Sequence, residues 1–261
     1  MKQILKIYIY PIVLIQFFII NSNSWGNPIY SVSINNFSYT IFRNSTSRYR
    51  LYSSDINFKV IKTAFQKILR VKNSQGKSII EIKNGAEKKT KVKPHRKDLD
   101  DTPYLNLGRR EIKKLAEKFK HSRTPVKSIR RFVYKYISKK ITGIPLSPAI
   151  NIIKTKMGDC TEHAILTMAI MRSIGIPCRA VVGITLARKF QGMKNVFVYH
   201  MWVEAYYKKR WYLVDSTKSG KVYPNRYIAF ALHSLKTEMP LSYLKAISAI
   251  QNLKIRYIGQ K

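Results

Sequence analysis

The chain has 261 residues, 45% hydrophobic and 12% aromatic, which suits one sizeable packed domain plus a smaller module and excludes wholesale disorder. Its 49 Lys and Arg stand against 13 Asp and Glu, a formal charge of +36. Such a surface should attract polyanions, although a chain rich in Lys, Ile and Asn can also carry this charge as plain solvated surface.

The first residues read as an export signal. MKQILK is a positive leader, Ile7 to Ile20 is an apolar run of 14, and NSNSWG follows with small Ser22 and Ser24. Fourteen residues of helix rise only about 21 Å, short of a hydrocarbon core of about 30 Å. Residues 1–24 are therefore expected to be a signal peptide cleaved near Ser24, giving a periplasmic or secreted protein. The alternative is an uncleaved N-terminal membrane anchor. No cysteine follows the run, which argues against a lipoprotein. Without residues 1–24 the charge is still +34. An exported chain of this sign meets anionic envelope polymers or lipid surfaces. Nucleic acid is disfavoured, because no RNP, zinc-finger or helix-turn-helix pattern is present.

Residues 25–83 form an expected β-rich module. IYSVSI, YTIF, RYRLY and KSIIEI alternate or cluster β-branched and aromatic residues between NN, NS, SS and SQG turns, and KTAFQKILRV suits a short helix or another strand. Residues 84–103 are polar, basic and aperiodic, a linker. From 104 to 261 the expected domain begins with helices. GRREIKKLAEKFK turns Ile112, Leu115, Ala116 and Phe119 to one face. In TPVKSIRRFVYKYISKKI, Thr124 is the expected N-cap and Pro125 the first helical residue, with Ile129, Phe132, Val133 and Tyr136 inward. Beyond the Met157–Arg179 block come a strand CRAVVGITL, a loop ARKFQGMKN, and a hairpin of VFVYHMWVEAYY with RWYLVDS across KKR. A helix LSYLKAISAIQNL is expected to close the chain. Helices followed by an antiparallel sheet make an α+β domain.

MGDCTEHAILTMAIMRSIGIPCR carries the chemistry. Asp159 and Glu162 have the spacing of a capping box, so Cys160 is the first helical residue and Gly175 the stop. AILTMAIMRSI is apolar nearly all round, which buries the helix. A thiol at a helix N-terminus sees unpaired N–H groups that favour the thiolate and can receive an oxyanion. The two acids oppose this, so Cys160 needs a cationic partner. Between Lys118 and Thr237 the only acidic residues are Asp159, Glu162, Glu204 and Asp215, all in site-like blocks. His163, three residues along the helix, competes with His200, mid-strand in the hairpin. His200 is preferred because Asp215 ends the neighbouring strand and can orient its ring. Trp202 and Trp211 could wall the site or simply pack, and Phe132 reads as packing.

In that order, GDCTEHA, GIPCR, HMWVE and W-x-L-V-D resemble the bacterial branch of the transglutaminase-like superfamily, related in arrangement to papain-type cysteine proteases. The resemblance covers roughly Pro125 to Leu235. It implies a transglutaminase-like fold with Cys160 as nucleophile, His200 as base and Asp215 orienting that base. Where relatives have Ala, this chain has Cys178.

A Cys160–Cys178 disulfide is disfavoured. The helix between them spans about 22 Å, whereas bridged Cα atoms lie within about 7 Å. No zinc spacing and no cofactor motif are present. The expected activity is attack on an amide or peptide carbonyl of a protein or peptide substrate, leaving a thioester. Hydrolysis is favoured over transfer to an amine, because the relatives named are not established crosslinkers as a class. Two alternatives stay open: transglutaminase-type crosslinking, and a non-catalytic envelope-binding module on the same fold.

Overall fold

The computed structural model describes residues 31–85, 92–141, 146–233, 235–236 and 249–260. The expected signal peptide, and the expected closing helix as far as residue 248, lie outside them. Of that helix residues 249–253 are described: 249–251 are helical, Asn252 is a turn and Leu253 begins a strand.

Among the described residues, nine strands form one sheet. They are β1 (Ser31–Asn35), β2 (Thr46–Ser53), β3 (Gln66–Ser74), β4 (Lys77–Gly85), β7 (Cys178–Phe190), β8 (Met193–Tyr207), β9 (Arg210–Val214), β10 (Tyr227–His233) and β11 (Leu253–Gly259). A separate short pair joins β5 (Lys139–Lys140) to β6 (Met157–Gly158). The order in the large sheet is β10-β7-β8-β1-β11-β2-β4-β3, with β9 also on β8. β1 and β9 meet different stretches of the long β8, at Val196–Val198 and Val203–Tyr207.

The helices are α1 (Arg110–Lys120), α2 (Pro125–Tyr136), α3 (Ala149–Thr155) and α4 (Cys160–Ser173). The expected inward residues of α1, Ile112, Leu115, Ala116 and Phe119, are all buried. In α2 it is Val126, Ile129 and Val133 that bury fully, while Phe132 and Tyr136 pack half-buried against the core. Pro125 opens α2 at N1, but the Thr124 side chain makes no cap bond. α4 is buried from Thr161 to Arg172 and packs on the Cys178, Ala180, Val182, Met201, Val203 and Ala205 positions of β7 and β8. Gly175, at φ 78°, lets the chain turn after α4 where a side chain would be strained.

A second core explains where the N-terminal strands sit. Tyr49, Leu51, Ile80 and Ile82 of β2 and β4 pack with Ile184, Leu186 and Phe197 of β7 and β8, and with Ile228 and Phe230 of β10. The sheet therefore curls until its two ends approach each other. Side chains stitch the gap: Gln66 donates to the Ala229 carbonyl at 2.8 Å and accepts from the Ala229 N–H at 2.9 Å. Asn84 donates to the Tyr227 carbonyl and to Gln66 Oε1.

Several expectations change. YTIF is a 3-10 turn, Tyr39–Phe42, because Ser38 caps it through the Thr40 N–H. KTAFQKILRV resolves as strand from Gln66 onward, since its register with β4 supplies the backbone bonds a helix would have to make internally. ARKFQGMKN is no loop: β7 and β8 run through it and turn at Gln191 and Gly192, with φ of 44° and 81°. The last described element is β11 rather than a helix, and α3 is additional.

Candidate active site

Local sequence sets Cys160 in place. Asp159 is extended, and its carboxylate accepts the N–H of Thr161 at 2.8 Å and the N–H of Glu162. Glu162 Oε2 returns the bond to the Asp159 N–H at 3.0 Å, and Oε1 accepts from Ser147 N at 3.3 Å. The capping box thus consumes the second and third amides of the helix and leaves the Cys160 N–H uncapped. Glu162 is fully buried, and burial, then the charge of Asp159, pushes it up to about 7. Gly158, at φ 158°, makes room beneath it, because a Cβ there would collide with the Glu162 side chain. Asp159 and Glu162 therefore shape the site as the cap of the cysteine helix.

His200 sits mid-β8, opposite Gly183 of β7. Its Nε2 lies 2.9 Å from Asp215 Oδ2, with the carboxylate just past β9 and 1% exposed. That leaves Nδ1 free of Asp215, and the Cys160 side chain is near enough to add to the electrostatics of the ring. Burial alone would lower His200, but the charge and hydrogen bond of Asp215, followed by those of Cys160, raise it to about 10. Burial likewise works against the Asp215 carboxylate, yet His200, Lys218 and Thr217 hold it well below the usual range. The surroundings therefore favour a protonated His200, held by a carboxylate on Nε2.

His163 is differently employed. Its Nδ1 lies 2.6 Å from the Asp159 carbonyl, which fixes Nδ1 as the donor. Nε2 is buried without a partner, and burial lowers the group from its ordinary value. Trp202 stacks beside His200, ring centroids 6.3 Å apart and planes 18° off parallel, within a small cluster of Val181, Tyr227 and Ala229. Trp211 lies away from this group, under Arg179 at 4.3 Å.

Sequence reasoning missed four residues around Asp215. Tyr227 donates its hydroxyl to Asp215 Oδ2 at 2.7 Å, and Thr217 gives Oδ1 both its N–H, at 2.9 Å, and its hydroxyl, at 2.6 Å. Ser216 bonds Thr167 of α4 at 2.7 Å, tying the Asp215 turn to the cysteine helix. Gly183 clears the space between: a Cβ there would strike the Ile228 carbonyl and come within 3.0 Å of the Trp202 ring. A glycine inside a β-branched strand was the one visible signal, since it marks a close approach. Cys160 and Cys178 are both free, Cys160 half-buried and Cys178 buried, with burial pushing Cys178 up to about 12.

Residues 113–216 match the model of the Transglutaminase-like superfamily, a stretch that includes Cys160, His200 and Asp215. A proposed cysteine protease from Cytophaga hutchinsonii superposes with a TM-score of 0.52 at 16% identity, over 83% of this chain and 87% of that one. The periplasmic domain of TgpA from Pseudomonas aeruginosa, bound to ethylmercury, gives 0.50 at 14% identity, over 67% and 73%. None of the curated proteins matches. Both structural likenesses bear on the fold. The stretch 113–216 is thus similar to the Transglutaminase-like superfamily, whose members are typically cysteine enzymes, and it lies in a chain with that fold.

Proposed function

We propose that the protein is an exported thiol hydrolase that cleaves amide or peptide bonds through a thioester. Cys160 is the nucleophile, His200 the acid and base, and Asp215 the group that orients His200. The observation that supports this reading is the His200 ring held 2.9 Å from the buried Asp215 carboxylate through Nε2, with Cys160 close enough to act on the same ring. An imidazolium is the counter-charge that a thiolate needs.

In the first half-reaction Sγ bonds to the carbonyl carbon while the uncapped Cys160 N–H faces the developing oxyanion. The C–N bond then breaks, the amine takes the proton from Nδ1, and a thioester remains. Water next attacks the thioester, giving its proton back to Nδ1, and the acid leaves as the thiolate re-forms. Asp215 keeps the Nε2–H in place throughout, so Nδ1 is the nitrogen that exchanges the proton.

Cys160 is half-buried rather than sealed, so water reaches it, and this favours hydrolysis over transfer to an amine. The apolar run of residues 7–20 supports export, and the excess positive charge suits substrates held among anionic envelope polymers. No helix among the described residues is long and apolar enough to cross a membrane.

The test is mass spectrometry of envelope peptides after incubation with wild type and Cys160→Ala. Wild type should release new termini, and Cys160→Ala or His200→Gln should lose this by several orders of magnitude, since members of one catalytic unit are not additive. Crosslinked products would move the assignment to transfer. Undiminished cleavage by Cys160→Ala would refute the mechanism.

A further inference from the structure

Asp215 accepts two donors on each oxygen. Thr217 supplies both on Oδ1, while Oδ2 takes His200 Nε2 at 2.9 Å and the Tyr227 hydroxyl at 2.7 Å. A carboxylate held at all four sites cannot rotate, and its plane sets the direction of the His200 ring. Tyr227 is buried and reaches Asp215 across β7, over Gly183, with its ring 5.2 Å from Trp202 and 6.1 Å from His200. Burial and the neighbouring charge of Asp215 drive its phenol well above the ordinary range, so the hydroxyl stays a donor.

β10, which presents Tyr227, has β7 as its only strand neighbour and carries a bulge between Ala229 and Ala231. An edge of that kind leaves backbone groups without a strand partner. Two amide side chains from the N-terminal strands, with the Ile61 N–H 3.3 Å from the Ala229 carbonyl, take the place of a further neighbour. Gln66 brackets Ala229 through both N–H and C=O, Asn84 holds the Tyr227 carbonyl, and the two are bonded to each other at 3.2 Å. Both are buried, where an apolar pair would cost less desolvation, so their value lies in what they hold. Gln66, Asn84 and Tyr227 all lie outside residues 113–216.

We propose that Tyr227 is a positioning residue for the Cys160–His200–Asp215 unit, and that β3 and β4 serve that unit by clamping β10 through Gln66 and Asn84. The N-terminal strands thereby acquire a role in the chemistry without touching substrate. This rests on Cys160 being an activated nucleophile.

The rate of Cys160 alkylation by iodoacetamide at neutral pH, followed by peptide mass spectrometry, tests it on the full chain. Tyr227→Phe keeps the packed ring and removes one oxygen. It should slow alkylation roughly ten-fold, as expected for loss of one charge-assisted hydrogen bond. In an Asp215→Asn background the same change should cost less than about two-fold, because its partner is already altered. A merely structural tyrosine would cost the same factor in both backgrounds. The downfield proton resonance of His200 Nε2–H should also shift in Tyr227→Phe and stay in place in Leu232→Ala, an exposed change on the same strand. Gln66→Met should slow alkylation in the same direction and add nothing to Tyr227→Phe. Tyr227→Phe within about two-fold of wild type, or an unmoved resonance, overturns the role of Tyr227. Additive loss in the double variant, or a Gln66→Met protein that does not fold, overturns the clamp. Slow alkylation of wild type itself would instead strike at the nucleophile.

Discussion

Replacing Asp215 by Asn is the sharpest probe of the site. The amide keeps the shape and one oxygen for Thr217, but it removes the charge that holds His200 protonated up to about 10. What remains acting on the ring is chiefly burial, which pulls the other way, so at pH 7 the variant imidazole is neutral. Cys160 then has no cation beside it, so alkylation by iodoacetamide at pH 7 should fall by about an order of magnitude or more. Amide cleavage should suffer more, by two or more further orders of magnitude, because the amide also fixes the wrong tautomer. Circular dichroism and a melt establish that the variant is folded. A folded Asp215→Asn protein that alkylates at the wild-type rate at pH 7 would refute the electrostatic support that Asp215 gives Cys160 through His200.

Other consequences are open to direct measurement. Gly183→Ala sets a Cβ against the Ile228 carbonyl and the Trp202 ring, and denaturant unfolding should show a loss of about 1–3 kcal/mol or more. Arg179 and Glu204 form a buried ion pair at 2.7 Å, with Arg179 stacked on Trp211. Arg179→Met should destabilise by about 3–5 kcal/mol, and Arg179→Met with Glu204→Leu should recover most of it, because the single change strands a buried charge. In the folded protein iodoacetamide should label Cys160 and spare Cys178, which is sealed and held up near about 12. Both should label in denaturant.

How much of this was legible depended on sequence distance. The capping box was readable because its four residues lie within one turn, and it placed Cys160 at the first helical position. The His200–Asp215 contact was readable because a two-residue turn at Lys208 and Lys209, φ of 48° and 62°, joins their strands. Tyr227 follows Asp215 by only 12 residues, yet it arrives from the far side of β7, and nothing in YIAFALH marks one aromatic for a carboxylate. The N-terminal strands were visible as strands, since alternation is local. Their neighbours were not, because β1 pairs with a segment more than 200 residues away. KTAFQKILRV shows the same limit, as its apolar positions fit either period until β4 lies beside it.

The parallel contact of β1 with β11 has a bearing on biogenesis. Ile34 registers with Ile255, and β11 then hands on to β2, so one late segment is the mortise between two early ones. A ribosome must have released the chain at least to Gly259 before the sheet can become continuous, and contacts of such long range make assembly slow. Cys160, His200 and Asp215 all precede β11 and make no pairing with it, so the long-range step joins the halves of the sheet around a site whose own elements are nearer neighbours in the chain.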